Sequence, residues 1–274
     1  MGLRINTNIA SMSAQRNLSN VSGRLQGNYA RLSSGLRIAS AADDAAGLGI
    51  SEKMRGQIRS YGVASRNAMD GLSLSQTAEG ALGEVSNILG RMRELAMQSS
   101  NGTLSSEDRD TIQAEFTSLT DEIDRISGET KFNGVSLLDG STATLNIQVG
   151  LNSGDTITLD LTDVSSATLG VDSGSLDVTT DTGAVAALAA LDTAIGDVNT
   201  ARGGLGADQN RMQSAIRSIQ TVTENLSAAE SRIRDVDVAF ETADMTRNSI
   251  MQQAATSVLA QANAQPQIAL NLLG

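Results

Sequence analysis

Apolar residues recur at steps of three and four along both ends of this 274-residue chain. Steps of that size place the residues on one side of a helix, as an apolar seam that is unfavourable in water until another helix covers it. The seam comprises Ile5, Ile9, Leu18, Val21, Leu25, Leu32 and Leu36 in the first segment and Met251, Val258, Leu259, Leu270 and Leu273 in the last. Both end segments therefore require a partner, either each other or neighbouring copies, as is typical of an assembly subunit.

The two ends also carry opposite charge. The first 42 residues contain arginines and no carboxylate, whereas the segment from Asp235 contains several carboxylates and a single basic residue, Arg247. Opposite charges favour pairing between the ends, although an exposed ion pair is worth only about 0–1 kcal/mol. Two alternatives stay open at this point: two independently solvated helices, or a basic amphipathic N-terminal segment that lies on a membrane surface.

The composition favours thin contacts between helices over a thick globular core. Aromatic residues make up 2% of the chain, tryptophan is absent, and Pro266 is the only proline. Thick cores depend on large aromatic side chains, whereas helix pairs are built from Ala, Leu, Ile and Val. We therefore expect a mainly α fold, an elongated antiparallel helical bundle or coiled coil whose N- and C-terminal helices pair.

The residue types that are missing exclude most kinds of chemistry. The chain contains no histidine and no cysteine, which removes the commonest general base, thiolate chemistry and disulfides. Asp43 and Asp44 are adjacent, so on a helix they point in different directions, and we interpret them as charges at a helix N-terminus. We expect no catalytic residue, no metal site and no cofactor, and we predict that the protein is not an enzyme.

The net charge and the hydropathy of the chain limit which partners it can bind and where in the cell it can be located. A net charge of −11 argues against nonspecific nucleic-acid binding, which needs a basic face. No apolar stretch is long enough to span a membrane, and the first residues lack the apolar region of a secretory signal peptide. These features alone predict a cytosolic protein.

The middle of the chain changes its pattern several times. Helical periodicity covers residues 50–100 approximately. It resumes after a helix-capping sequence at residues 105–108 and stops near Gly128. Alternating apolar and polar residues at 143–149 and 156–161 predict a β-hairpin that packs on the helices. Residues 163–183 are rich in Ser, Thr, Asp and Gly, which predicts a solvent-facing connection before helical periodicity returns near Ala184.

Several sequence phrases, taken in order, resemble those of one known family. They are LRINTNIASMSAQRNL, RLSSGLRIASAADDAAGLGISEKMRGQIR, NAMDGLSLSQTAEGAL, RMRELAMQSSNGT, EIDRISGETKFNGVSLLDG, GADQNRMQSAI, ENLSAAESRIRDVD and MQQAATSVLAQANAQPQIALNLL. Over nearly its full length the chain resembles the bacterial flagellins. The resemblance implies an inner coiled-coil layer from 1–42 with 236–274 that lines the filament channel, and a surrounding helical layer over 43–235 with its hairpin near 143–162. The variable outer domains would be inserted at 163–183 and are missing from this short form.

The resemblance also implies a function and a location. It implies a structural subunit that polymerises into the flagellar filament used for swimming, is exported unfolded by type III export, and folds on assembly at the tip. That replaces the cytosolic prediction with a secreted, extracellular one. The implied partners are further copies of the chain, a flagellar export chaperone, and the filament cap and hook-associated proteins. The alternatives are a hook–filament junction protein and a soluble coiled-coil scaffold.

Two binding roles follow from the resemblance. The phrase GRMRELAMQ is similar to the flagellin helix that Toll-like receptor 5 of a vertebrate host recognises, although Gly90 stands where a Gln is common. The implied receptor-recognition residues are Arg91, Leu95 and Glu115, with Arg93 and Glu94 beside them. For Arg91 and Glu115 the alternative role is an ion pair within the filament. The implied chaperone segment docks as a helix in a groove, through Met245, Ile250, Val258, Leu259, Ile268 and Leu270.

Overall fold

Helices dominate the fold, as the sequence predicted. In the computed structural model, residues 7–271 are described, and side chains are described as far as residue 265. Within that part the elements in chain order are α1 (Ile9–Ser34), α2 (Ala45–Ser99), α3 (Ser106–Glu129), β1 (Lys131–Phe132), β2 (Val135–Ser136), β3 (Thr144–Gln148), β4 (Thr156–Asp160), α4 (Asp181–Arg234) and α5 (Val238–Asn271). None of the helices in the described part of the chain is both long and apolar enough to cross a membrane.

Local signals set the helix ends. Gly35 adopts a left-handed conformation with φ of 72° and closes α1 by donating its N–H to the Arg31 carbonyl at 2.8 Å. Asp44 precedes α2 and its carboxylate accepts the Gly47 N–H at 2.9 Å, so the predicted helix N-terminal role is confirmed for Asp44. Asp43 instead accepts the Ser40 N–H at 3.0 Å, in the segment before the helix. Ser105 and Asp108 form a reciprocal capping box at the start of α3, which satisfies two backbone donors.

Two antiparallel hairpins follow α3. The predicted one is confirmed as β3 and β4, in a register that pairs Leu145 with Leu159 and Ile147 with Ile157. The sequence analysis missed the shorter hairpin of β1 and β2. Its two-residue turn is Asn133–Gly134, with φ of 49° and 80°. Positive φ at both positions is what an Asn-Gly hairpin turn requires, so the signal was present in the sequence.

The chain divides into two compact units. The first takes in the chain up to Ile58 and from Glu224 onward, and the second is Arg59–Thr223. These boundaries lie inside the long helices α2 and α4, further from the chain ends than the boundaries at 42/43 and 235/236 drawn from the sequence. Within the first unit, Arg234 at the end of α4 donates to Glu52 near the start of α2, and its carbonyl accepts the N–H of Arg37 in the segment after α1.

The second unit holds one apolar core. Helices α2, α3 and α4 and the β3–β4 hairpin all contribute buried side chains to it. The inward face of α2 is a row of apolar residues at steps of three and four, each at most 1% exposed: Ala78, Leu82, Val85, Leu89, Met92 and Ala96. Large side chains of the other elements complete it, among them Phe116, Ile123, Leu159, Leu191 and Met212.

The prediction that residues 163–183 form a solvent-facing connection is only partly correct, since polar residues such as Ser173 and Ser175 are exposed. Apolar residues spaced along this segment are buried in the core: Val164, Leu169, Val171, Leu176 and Val178. Side chains of α3 satisfy its backbone, because Asp124 accepts the Ser166 N–H and hydroxyl, both at 2.8 Å, and Gln113 accepts the Val178 N–H at 2.8 Å. The abundant polar residues concealed an apolar pattern that packs without regular secondary structure.

Candidate assembly and recognition surfaces

Helices α1 and α5 pack antiparallel and form what we call the terminal helix pair. At one end Asn8 donates to the Ala262 carbonyl at 2.7 Å, and the Ser11 hydroxyl donates to Asn263 at 2.6 Å. At the other end a β-bridge joins Leu36 to Asp235 just outside the helices. The first unit therefore brings together two segments that lie at opposite ends of the sequence.

Some residues of the predicted apolar seam are buried between the two helices of this pair, and others are exposed. Val21 and Leu25 are buried, while Leu18, Leu32, Leu36, Met251 and Leu259 are half-buried. Ile9 and Val258 are instead 62% and 60% exposed. Ile5 and Leu273 lie outside the described residues, as does the side chain of Leu270. A single helix pair thus covers one side of the seam and leaves the rest in water.

Large apolar side chains remain exposed on both helices of the pair. They are Ile9, Met12 and Tyr29 on α1 and Val238, Phe240, Ile250 and Val258 on α5. Exposed apolar groups repeated along a helix indicate a surface for another protein chain. Of the predicted chaperone residues, Ile250 and Val258 belong to this exposed set, whereas Met245 and Leu259 are half-buried. The side chains of Ile268 and Leu270 lie outside the described part.

A cluster of buried polar residues interrupts the apolar contact between α1 and α5. The amide nitrogen of Asn28 donates to Glu241 Oε1 at 2.6 Å, and its amide oxygen accepts from Asn248 Nδ2 at 2.8 Å. All three side chains are buried, and we call them the polar cluster. The sequence analysis missed it, because Asn28 and Asn248 were not considered and Glu241 entered only as part of the acidic charge of the tail.

Opposite charge also connects the terminal helices, as predicted, where the partly exposed Arg31 of α1 lies next to the buried Glu241 of α5. Arg31 Nη1 lies 3.7 Å from Glu241 Oε1, and Arg31 Nη2 lies 3.9 Å from Asp43. Arg31 is partly exposed, so solvent screens these long contacts. The pKa of Asp43 is lowered chiefly by the hydrogen bond from the Ser40 backbone, with Arg31 a smaller cause.

The residues predicted for receptor recognition lie in the second unit, on α2 and α3. Arg91 donates to Glu115 Oε1 from Nε at 3.1 Å and from Nη2 at 2.9 Å, and from Nη1 to Glu94 at 3.0 Å. All three side chains are substantially exposed. The hydrogen bonds that Arg91 donates to Glu115 and Glu94 raise the pKa of Arg91. The structure therefore contains an Arg91–Glu115 ion pair at the surface.

The other two predicted recognition residues occupy different environments. Arg93 reaches across to α4 and donates to Asp192 at 2.6 Å, which lowers the pKa of Asp192. Leu95 is only 2% exposed and belongs to the core of the second unit. Its prediction as a surface contact needs correction, because it follows Met92 by one helical turn on the inward side of α2. Of the predicted recognition residues, Arg91, Arg93, Glu94 and Glu115 therefore remain at the surface.

Comparisons with known proteins identify the same family at both ends of the chain. Residues 5–143 match the bacterial flagellin N-terminal helical region, and residues 188–273 match the bacterial flagellin C-terminal helical region. A flagellin of Halalkalibacterium halodurans is 50% identical over 98% of this chain and 99% of its own length. A flagellin of Bacillus subtilis strain 168 is 46% identical over 99% of this chain and all of its own length.

A solved structure supports the same assignment. The crystal structure of Bacillus cereus flagellin is 38% identical, covers 60% of this chain and 94% of its own chain, and superposes with a TM-score of 0.52. The full-length relatives bear the name flagellin, and nothing in these comparisons favours the hook–filament junction alternative. With both terminal regions matched and two relatives similar from end to end, the chain belongs to the bacterial flagellin family.

Proposed function

We propose that this chain is the structural subunit of a bacterial flagellar filament and polymerises through its terminal helices. The observation that carries the proposal is the row of exposed apolar side chains on α1 and α5, which the terminal helix pair leaves in water. Burial of apolar area is the main favourable term in association, at about 25 cal/mol per Å². Contact with neighbouring copies supplies that burial, and the filament is the setting in which such copies are present.

The two compact units correspond to two layers of the proposed filament. The terminal helix pair forms the inner layer that lines the channel, and Arg59–Thr223 forms the layer around it. Support comes from the different way each unit is built: the second unit has its own apolar core, whereas the first exposes apolar residues such as Ile9, Ile250 and Val258. A unit with its own core is stable alone, and a helix pair with an open seam gains stability from neighbours.

Truncation of α5 tests this proposal. A chain that ends at Gln253 lacks Val258 and Ala262, with their contacts to α1 and to neighbouring copies, but keeps the whole second unit. Added to filament fragments as seeds, the full chain elongates them and the truncated chain does not, as electron microscopy measures directly. The urea midpoint of the second unit stays the same in both. Filaments of normal length from the truncated chain would refute the role of α5.

We also propose that an export chaperone binds α5 before secretion. The chain then travels unfolded through the type III apparatus to the extracellular tip. The exposed Ile250 and Val258 supply the apolar face that a helix-in-groove complex requires. Substitution of both by Asp lowers chaperone affinity by at least about tenfold, measured by calorimetry. Met97→Asp is the matched control, because Met97 on α2 is also more than half exposed and lies outside the segment. An equal loss of chaperone affinity in both variants would contradict the proposed binding site on α5.

The filament cap and hook-associated proteins are further proposed partners. Subunits at the two ends of a filament lack neighbours on one side, so the exposed apolar residues of α1 and α5 remain uncovered there. Proteins with similar helical ends are suited to cover them. Seeded growth on purified hook-associated protein, compared with growth on bare seeds, measures this interaction.

A second proposed activity is recognition by Toll-like receptor 5. The supporting observation is that Arg91, Glu94 and Glu115 form an exposed charged group on neighbouring helices. Arg91→Ala and Glu115→Ala each lower signalling in a receptor reporter assay, and the double variant lowers it further. Arg125→Ala is the control, since Arg125 forms a comparable exposed ion pair with Glu122 on α3. Unchanged signalling together with weaker filaments would assign Arg91 and Glu115 to the filament alone.

A further inference from the structure

The polar cluster occupies positions where a helix seam normally holds apolar side chains. Asn28 lies on α1 between two residues of α5 that are seven positions apart, Glu241 and Asn248. Seven residues are two helical turns, so both α5 residues are on the same side of that helix. Buried amides and carboxylates are stable only when their hydrogen bonds are satisfied, so their presence constrains what α1 can lie against.

The three side chains complement each other through hydrogen bonds, and the partly exposed Arg31 of α1 lies 3.7 Å from Glu241. Asn28 donates to the carboxylate of Glu241 and accepts from the amide of Asn248. If two α1 helices paired, Asn28 would face apolar residues or another asparagine. If two α5 helices paired, two Glu241 carboxylates would be buried near each other, which is strongly unfavourable. Only contact between α1 and α5 satisfies every member.

We propose that the polar cluster selects α5 as the partner of α1 and rejects pairing of like helices between chains. A single polar residue in an apolar seam is known to specify partner and register at some cost in stability. The inference rests on the proposed inner-layer role of the terminal helix pair. It names Asn28, Glu241 and Asn248 as the residues that determine specificity within that layer.

Apolar contacts alone do not provide this selection. Val21 and Leu25 on α1 pack against any apolar helix of similar size, because apolar burial has no direction. The contacts of Arg31 with Glu241 and Asp43 are 3.7 and 3.9 Å long and the Arg31 side chain is 41% exposed, so they contribute little discrimination. A protein that assembles from many identical copies brings many α1 and α5 helices together, and wrong pairs of like helices compete with the correct one.

The direct test replaces the cluster with apolar residues. The Asn28→Leu/Glu241→Leu/Asn248→Leu variant keeps a seam but loses its selectivity. Sedimentation velocity of unpolymerised protein then detects new dimers and larger oligomers, and seeded elongation slows by at least about tenfold, the factor that one charge-assisted hydrogen bond sustains. Glu107→Leu/Asn199→Leu/Asn210→Leu is the matched control, because it makes the same three exchanges at exposed positions of the second unit, and it forms no new oligomers.

A charge exchange provides a second test that does not depend on the leucine variant. Asn28→Glu alone places two carboxylates together in the seam and stops elongation. Asn28→Glu with Glu241→Asn restores it, because the new carboxylate accepts from the amides at 241 and 248. Recovery to within about tenfold of the unaltered rate is the expected result, since the cluster again contains a single carboxylate that accepts hydrogen bonds from amide groups.

The possible outcomes distinguish failure of the proposed partner selection from failure of the proposed filament function. A triple leucine variant that stays free of oligomers overturns the inference, whether or not it elongates, because loss of growth without mispairing indicates only a packing role. A double exchange that grows no faster than Asn28→Glu also overturns it. Failure of the unaltered chain to elongate seeds would instead contradict the proposed filament function.

Discussion

Arg234 donates from Nη1 to the carboxylate of Glu52 at 2.6 Å, joining the end of α4 to the beginning of α2 within the first unit. The arginine side chain is only 10% exposed, whereas that of Glu52 is 51% exposed. The same arginine's carbonyl accepts the Arg37 N–H at 2.7 Å. Arg234 thus secures α2 and the segment after α1 at one point, and its buried charge depends on Glu52.

Neutralising Glu52 should weaken the first unit. In Glu52→Gln the buried guanidinium keeps a hydrogen-bond acceptor but loses the opposite charge, so the melting temperature of assembled filaments falls. Glu94→Gln serves as the control, because its partner Arg91 is half exposed and screened by solvent. Scanning calorimetry of filaments measures both. Equal melting temperatures for the two variants would show that burial of Arg234 gives the contact no special importance.

Leu95 should behave as a core residue. Leu95→Ala removes a fully packed side chain and lowers the free energy of unfolding by about 2–5 kcal/mol. Met97→Ala, two positions along the same helix but exposed, changes it by less than about 0.5 kcal/mol. Urea unfolding of the two variants decides the matter. A loss of receptor signalling in Leu95→Ala is then explained by instability, and a stable Leu95→Ala protein would contradict the burial.

Acid should destabilise the second unit. Asp192 has a pKa below its ordinary 3.8 because Arg93 hydrogen-bonds to it, and Asp108 has a lowered pKa because Ser105 does. A lowered folded pKa means that the stabilisation is present above pH 3.8 and is lost as the pH falls through the folded value. Urea midpoints between pH 7 and pH 2, measured for the unaltered chain and for Asp192→Asn, should show a smaller decline in the variant. A midpoint that rises on acidification would contradict the sign.

Insertions should be tolerated at one point of the connection at 163–183 and not at another. The turn at Ser173–Gly174 is exposed, so a short Gly-Ser insertion there costs about 1 kcal/mol or less in loop entropy. An insertion between Ser166 and Ala167 separates the hydrogen bonds to Asp124 from buried Leu169, and lowers the urea midpoint substantially. Equal midpoints for the two insertions would show that the segment is not held by α3.

The sequence predicted what depends on local pattern. Alternation identified the β3–β4 hairpin, and Ser105 with Asp108 identified the start of α3, because both signals act within a few residues. Leu95 was wrongly predicted to be exposed because that prediction came from the family resemblance. The position of Leu95, one helical turn after Met92 on the same face of α2, already indicated burial. The contact of Asn28 with Glu241 spans 213 positions, and no local pattern contains it. Only the paired helices show that these two polar side chains meet.

The central claim is that the exposed apolar residues of α1 and α5 are buried between copies of the chain. Helical reconstruction of the polymer by cryo-electron microscopy tests it most directly. We expect Ile9, Ile250 and Val258 to lie against helices of neighbouring subunits around the central channel. A filament in which these three side chains face water, while subunits contact one another only through the second unit, would contradict the account.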